Sequence, residues 1–209
     1  MRRTLAATAA LLLSTAASPV AAQWESPTFF SPRAADDLGV YLVFPDPGDL
    51  GIVGIWRQTG RIDLGVRAGF IDFGNDTGIL VGAELFGPVN LFGPGTPISA
   101  AWMSGVGAVF DGVTWLRIPL GLSVGATLAS SGGFSITPYV HPRVAFDLFA
   151  FDVGDGEEET ESELNVDVDL GADMSLGRSF ILRFGATFGE SDVIGIGLAW
   201  RMPRGVVVR

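Results

Sequence analysis

The sequence predicts an all-β fold in which about ten antiparallel strands, with eight as the other possible count, close into an up-and-down transmembrane β-barrel that turns its apolar face to lipid. Most of the chain alternates apolar and polar residues with a period of two, which is typical of strands. The composition is 48% hydrophobic and only 17% charged. After residue 23, no run of 18 consecutive apolar residues is long enough for a transmembrane helix.

The alternation divides the chain into ten candidate strands, separated by turn signals in which Gly accompanies Asp, Asn or Ser. The candidate strands are residues 38–45, 50–57, 61–72, 79–87, 98–110, 113–128, 134–150, 163–176, 179–189 and 193–202. An antiparallel chain with short turns leaves two unpaired edges unless it closes on itself. Closure into a barrel is therefore the expected outcome.

The polar rows of these strands indicate which face points inward. Soluble surfaces carry about 25–35% charged residues, whereas the polar rows here are mostly Gly, Ser, Thr and Ala. The apolar rows from Leu116 to Leu128 and from Leu164 to Leu176 contain no charge. A lipid-facing surface requires this, since Arg at mid-bilayer costs about 2–4 kcal/mol. The alternative is a soluble periplasmic β-barrel that binds an apolar ligand on an inward apolar face.

The first residues have the three parts of a secretory signal peptide. Arg2 and Arg3 form the positive region, residues 5–17 form an apolar stretch, and Val20-Ala21-Ala22 is a small-residue cleavage site. We expect cleavage after Ala22. The predicted organisation is a signal peptide (1–22), an N-terminal periplasmic extension (23–37), the barrel (38–202) and a C-terminal tail (203–209).

Charge and cysteine content exclude several functions. The net charge is −10, and the sequence has no Cys. Nucleic-acid binding is not expected because phosphate contacts require basic patches. Disulfides, thiolate metal sites and cysteine nucleophiles are excluded.

The chain resembles the small outer-membrane β-barrel proteins of Gram-negative bacteria, the OmpA/OmpX type. Three features carry the resemblance: the signal peptide, the even number of strands and the last strand, GIGLAWRM from Gly195. Members of that class end in a glycine-x-x-aromatic pattern and a terminal aromatic residue that the barrel-assembly machinery reads. Gly197 and Trp200 match the pattern, whereas Met202 replaces the final aromatic and a tail follows. The resemblance implies outer-membrane localisation, contact with outer-membrane lipid and lipopolysaccharide, and a monomer.

If the apolar rows face lipid, the polar rows bring charged side chains into the lumen. The predicted lumenal charges are Arg61, Asp63, Arg67, Glu84, Arg117, Arg143, Asp147, Asp167, Asp169, Asp173 and Arg183. Five basic groups face six acidic groups, and an unpaired buried charge is costly. We therefore predict arginine–carboxylate pairs that largely plug a narrow lumen.

Two features raise the question of catalysis or metal binding. Asp167, Asp169 and Asp173 lack the wrapping loop that calcium sites use. His141 is the only histidine, and no nucleophile-elbow sequence accompanies it. We expect no catalytic residue, no metal and no cofactor.

The acidic segment from Asp152 to Glu163 is expected to be a solvated loop on the cell exterior. Whether that loop gathers cations is left open by its composition. The predicted function is a structural, surface-interaction or narrow small-solute role in the outer membrane.

Overall fold

The computed structural model describes residues 26–46, 50–72, 77–93, 95–111, 113–129, 133–152, 158–189 and 192–202. Their secondary structure consists of the strands β1 (Asp37–Asp46), β2 (Gly51–Gln58), β3 (Asp63–Asp72), β4 (Thr77–Val89), β5 (Ile98–Asp111), β6 (Val113–Ala126), β7 (Leu128–Ala129), β8 (Phe134–Asp152), β9 (Glu158–Leu176), β10 (Phe180–Phe188) and β11 (Asp192–Arg201). Within these ranges, no helix is long and apolar enough to cross a membrane.

The sheet closes on itself because its first and last strands pair. The β1–β11 ladder runs from Asp37↔Arg201 to Asp46↔Asp192, and every other ladder joins neighbours along the chain. β7 continues β6, since both pair with β8 in the same register. The described residues therefore form ten barrel strands, which confirms the predicted closed antiparallel barrel.

The acidic segment differs from its prediction. We expected a loop from Asp152 to Glu163, but the β8–β9 ladder continues as far as Asp152↔Glu158. Residues 153–157 lie outside the described residues. The two strands extend together because each offers its neighbour a full row of backbone donors and acceptors. The acidic residues from Glu158 onward therefore belong to a strand.

This β8–β9 hairpin projects beyond its neighbour β10. The β9–β10 ladder stops at Val168↔Phe188, whereas β9 begins at Glu158. The ten residues before Val168 correspond to about 34 Å of strand. The hairpin lies at the end of the barrel opposite Asp37 and Arg201, and we call these two ends the hairpin end and the terminal end.

The exterior of the barrel is apolar, as predicted. On β1, the outward side chains of Leu38 and Val40 are 52% and 57% exposed, while the inward Tyr41 and Val43 are fully buried. A soluble protein keeps contiguous apolar patches of this kind covered. The soluble alternative requires an inward face that is apolar throughout, whereas in the described interior buried charged side chains accompany a buried apolar cluster that includes Val43 and Val53.

Outward aromatic side chains lie near both ends of the strands, and Phe184 lies between them on β10. β5 carries Trp102 and Phe110, and β10 carries Phe180 and Phe188, all between 39% and 50% exposed. Eight residues separate the members of each pair, which is about 27 Å along a strand and about 20 Å along an axis tilted by about 40°. Transmembrane barrels have aromatic girdles on both sides of an apolar band about 25 Å tall. The barrel exterior therefore has the dimensions of a membrane-spanning surface.

Candidate functional site in the barrel lumen

The lumen holds eleven charged side chains that are at most 7% exposed. They are Arg57, Arg67, Arg117, Arg143 and Arg183, with Asp37, Glu84, Asp147, Asp167, Asp169 and Asp173. Each lies on the inward row of its strand, where Gly, Ser and Thr leave room for long side chains. Among the described residues, the lumen therefore contains five arginines and six carboxylates.

One group of charges is centred on Glu84 of β4. Arg57 Nε lies 2.6 Å from Glu84 Oε1, and Arg67 Nη2 lies 2.5 Å from Glu84 Oε2. Each oxygen of the carboxylate thus accepts from a different arginine. Charge-assisted bonds of this length are the stronger class of protein hydrogen bonds, so Glu84 ties β2, β3 and β4 together inside the barrel.

A second group lies between β6, β8 and β9. Arg117 bridges two carboxylates, 3.2 Å from Asp147 and 2.9 Å from Asp167. Arg143 lies 3.4 Å from Asp167 and 3.5 Å from Asp169. The alternating charges neutralise each other at a depth where an isolated ion would be strongly destabilising.

The third group crosses the seam where the barrel closes. Arg183 of β10 lies 2.6 Å from Asp37 of β1 and 3.2 Å from Asp173 of β9. It also donates to Tyr41 Oη at 2.7 Å. One guanidinium therefore links strands on both sides of β11.

Nine of the eleven predicted lumenal charges lie in these groups, and two do not. Arg61 is exposed in the turn before β3. Asp63 is only partly buried and accepts from the backbone N–H of Gly60 at 2.9 Å. The spacing of both residues continues that of β3 and therefore predicts that they face the lumen, but the strand starts only at Asp63. Arg57 and Asp37 take their places in the lumen and were missed.

Residues 26–32 fill the middle of the lumen, and we call them the plug. All seven are buried. The ring of Phe29 stacks on Tyr41 with 4.2 Å between centroids, and Phe30 meets Phe86 edge-on at 5.5 Å. We predicted a periplasmic extension over residues 23–37, and its described part instead turns into the barrel, where two aromatic rings are covered.

Arg57 holds the plug backbone at its turn. Its Nη2 donates to the carbonyl of Thr28 at 2.7 Å and its Nη1 to the carbonyl of Phe29 at 2.8 Å. Phe29 has φ of +49°, a conformation that costs bulky residues energy and persists where surrounding contacts enforce it. Ser123 donates to the carbonyl of Phe30 at 2.7 Å, so three consecutive carbonyls of the plug are bound.

The hydroxyl of Thr28 connects the plug to the only histidine. Thr28 Oγ1 donates to Asp169 Oδ2 at 2.6 Å and lies 2.9 Å from His141 Nδ1. Because Asp169 Oδ2 lies 3.1 Å from the same ring nitrogen, Nδ1 faces two acceptors and acts as the donor. His141 thus helps to hold the plug. No group of three or more potential ligands among the described residues is arranged to hold a metal ion.

The predicted assembly residues lie at the terminal end of the barrel. Gly197 faces inward beside Tyr41, and Trp200 points outward with 61% of its side chain exposed. The backbone N–H of Met202 donates to the carbonyl of Asp36 at 2.8 Å. The tail at 203–209 and the signal peptide at 1–22 lie outside the described residues.

Inward glycines provide the space that the plug occupies, and their replacement is expected to dislodge it. A Cβ at Gly185 would lie 2.6 Å from Pro27 and 3.3 Å from the Phe29 ring. We expect Gly185→Val to speed amide hydrogen exchange of the plug about tenfold or more, since the plug must open to relieve the overlap. The matched control is Gly54→Val on the outer face, where a Cβ meets only a carbonyl at 3.6 Å. Equal plug exchange in both variants would contradict this prediction.

The overall shape is similar to that of solved outer-membrane proteins. The N-terminal β-barrel domain of Pseudomonas aeruginosa OprF has a TM-score of 0.37 and 10% identity, covering 79% of this chain and 97% of that one. The KdgM porin has a TM-score of 0.39 and 6% identity, and the match covers 80% of this chain and 99% of that one. Ail, the attachment invasion locus protein of Yersinia pestis, has a TM-score of 0.32 and 10% identity, and the match covers 79% of this chain and 94% of that one. No protein-family model and no curated protein sequence matches the chain.

Proposed function

We propose that this protein is a sealed outer-membrane β-barrel that holds the β8–β9 hairpin at the cell surface, a structural and surface-interaction role. The observation that carries the proposal is the occupied lumen. The plug lies at its centre, and eleven buried charges surround it in three paired groups. A ten-stranded barrel has little more interior than its side chains fill. We therefore expect no open path for ions through the part of the lumen that the described residues line.

The proposed location follows from the exterior and from the predicted export signal. The apolar band of the exterior fits a bilayer, and the predicted signal peptide, with cleavage after Ala22, would direct export across the inner membrane. With the terminal end in the periplasm, the hairpin end lies outside the cell. The protein should fractionate with the outer membrane and migrate differently on gels before and after boiling. Recovery from the periplasm without detergent would contradict this location.

The proposed partners are those that the last strand and the exterior imply. Gly197, Trp200 and Met202 form the signal for the barrel-assembly machinery, with Met202 in place of an aromatic residue. Outer-membrane lipid and lipopolysaccharide cover the apolar exterior. We propose that each molecule is a monomer, since β1 and β11 close the barrel within one chain and no second chain is needed to complete it.

Ion conductance of the intact and plugless barrels tests the sealed lumen. We expect the intact chain in planar bilayers to show negligible conductance. Deletion of residues 26–32 should produce stable ohmic openings, because the deletion removes two aromatic rings from the centre of the lumen. The mobility shift on boiling establishes that the deleted variant is still a folded barrel.

A second deletion controls for the shortening of the chain. Deletion of residues 153–157, which lie outside the described residues, removes five residues where the plug deletion removes seven, and it leaves the plug in place. It should remain non-conducting. A large, stable conductance of the intact chain would instead support a solute-transport role and overturn the proposal.

A further inference from the structure

The contacts of Arg57 with the plug fix the position and direction of the plug backbone. Arg57 presents a planar pair of donors to two consecutive backbone carbonyls, at 2.7 Å and 2.8 Å. The Nε–H of the same guanidinium donates to Glu84 Oε1 at 2.6 Å, which fixes the orientation of the guanidinium. A guanidinium held in this way recognises a peptide backbone in one orientation, since its donors have fixed directions.

Each side chain at the centre of the plug also has a fitted partner. Thr28 donates its hydroxyl to Asp169 and accepts from His141, and both partners are at most 1% exposed. The next two residues need aromatic rings, because Tyr41 offers a stacking face to Phe29, and Phe86 meets Phe30 edge-on. The lumen is thus complementary to a hydroxyl residue followed by two aromatic residues.

Among the described residues, a single short segment joins the plug to the barrel wall. Residues 33–36 connect it to β1 at the terminal end, where Arg33 is exposed and residues 34–36 are partly buried. The contacts named above involve residues 28–30 and none of this connection. A break in the connection would therefore leave them intact.

From these observations we propose that the lumen is a peptide-binding site whose built-in occupant is the plug. The site would take an unattached peptide with a Thr-aromatic-aromatic sequence in the same place. The proposal rests on the sealed lumen described under the proposed function, and it adds a ligand class to it: a short peptide bound through two backbone carbonyls, one hydroxyl and two rings.

The test is to cut the connection after the barrel has folded. A protease recognition sequence is inserted between Arg33 and Ala34, and the full chain is folded in detergent and then cleaved. A fluorescently labelled synthetic peptide, Ser-Pro-Thr-Phe-Phe-Ser-Pro-Arg (residues 26–33), is added, and its anisotropy is measured. We expect saturable uptake of the peptide by the cleaved barrel. The uncleaved barrel is the matched control and should take up none, because its own plug occupies the site.

Two altered peptides test recognition of sequence. The first altered peptide carries valine in place of threonine at the position of Thr28. It lacks the hydroxyl that donates to Asp169, and its binding should be at least about tenfold weaker. A peptide of the same composition in scrambled order should not bind. Equal binding of the scrambled peptide, or loss of the cleaved fragment without any uptake of the labelled peptide, would overturn the proposal.

A variant that lacks residues 26–32 gives a second measurement that does not depend on cleavage. It should bind the labelled peptide, with the boiled and unboiled mobilities confirming its fold. A folded variant that binds no peptide counts against the peptide site. The sealed-barrel function fails on a different result, conductance of the intact chain, so the two failures are distinguishable.

Discussion

Glu84→Gln is expected to lower the free energy of unfolding by about 3–5 kcal/mol, the usual loss when one partner of a buried ion pair is removed. Arg57 and Arg67 both rely on this carboxylate, at 2.6 Å and 2.5 Å, and all three side chains are at most 4% exposed. Glutamine has nearly the same shape, so the packing is kept while the negative charge is lost. Chemical unfolding in detergent or lipid, followed by tryptophan fluorescence, measures the change.

Two comparisons test whether this loss comes from the missing negative charge beside Arg57 and Arg67. Glu163→Gln changes an exposed carboxylate on the hairpin and should alter stability by no more than about 0.5 kcal/mol. Adding Arg67→Met to Glu84→Gln should recover part of the lost free energy of unfolding, because it removes one of the two arginines that Glu84 neutralises. If Glu84→Gln were as mild as Glu163→Gln, the pairs around Glu84 would not stabilise the lumen.

Leu120→Arg is expected to destabilise the membrane-inserted barrel by about 2–4 kcal/mol, since it places a charge near the middle of the apolar band. Leu120 lies midway along β6, points outward and is 55% exposed. The side chain has lipid as its surroundings, and a long cation there must reach far to find water. The free energy of unfolding from liposomes is the appropriate measurement.

Leu128→Arg on β7 is the matched control for Leu120→Arg. Leu128 points the same way along the same barrel strand and is 57% exposed, but it lies at the terminal end. The same substitution there should cost about 0–1 kcal/mol, because the arginine reaches the interface. A loss at Leu128 equal to or greater than that at Leu120 would place the membrane elsewhere on the barrel.

The fold was predictable because the alternation of apolar and polar residues reflects the two environments of the barrel wall, lipid outside and the lumen inside. Along β1 and β6, the residues that face lipid are almost all apolar, while the inward residues are a mixture of small, charged, aromatic and aliphatic side chains. That contrast fixes strand positions and faces together. It weakens at the hairpin, where both faces of β9 near Glu161 and Glu163 are in water, and there the sequence predicted a loop.

The lumen was only partly predictable, for two physical reasons. The inward row of β2 is apolar at Val53 and Ile55, so nothing along that strand distinguishes the face that carries Arg57. The plug has no period at all, since an irregular segment is shaped by its partners and not by a repeating geometry. Its only signal is the pair Phe29-Phe30 between two prolines, a cluster of aromatic surface that a solvated extension would not need.

The plug also bears on the order in which the barrel is completed. Thr28 binds Asp169, 141 residues further along the chain, and Arg57 and Tyr41 hold the same segment from the N-terminal strands. β1 and β11 can pair only after the two ends of the chain have met, and bringing distant segments together is the slow step for such a topology. Because the plug binds β1 and β2 as well as β9, we expect it to hold distant parts of the chain together while the seam forms.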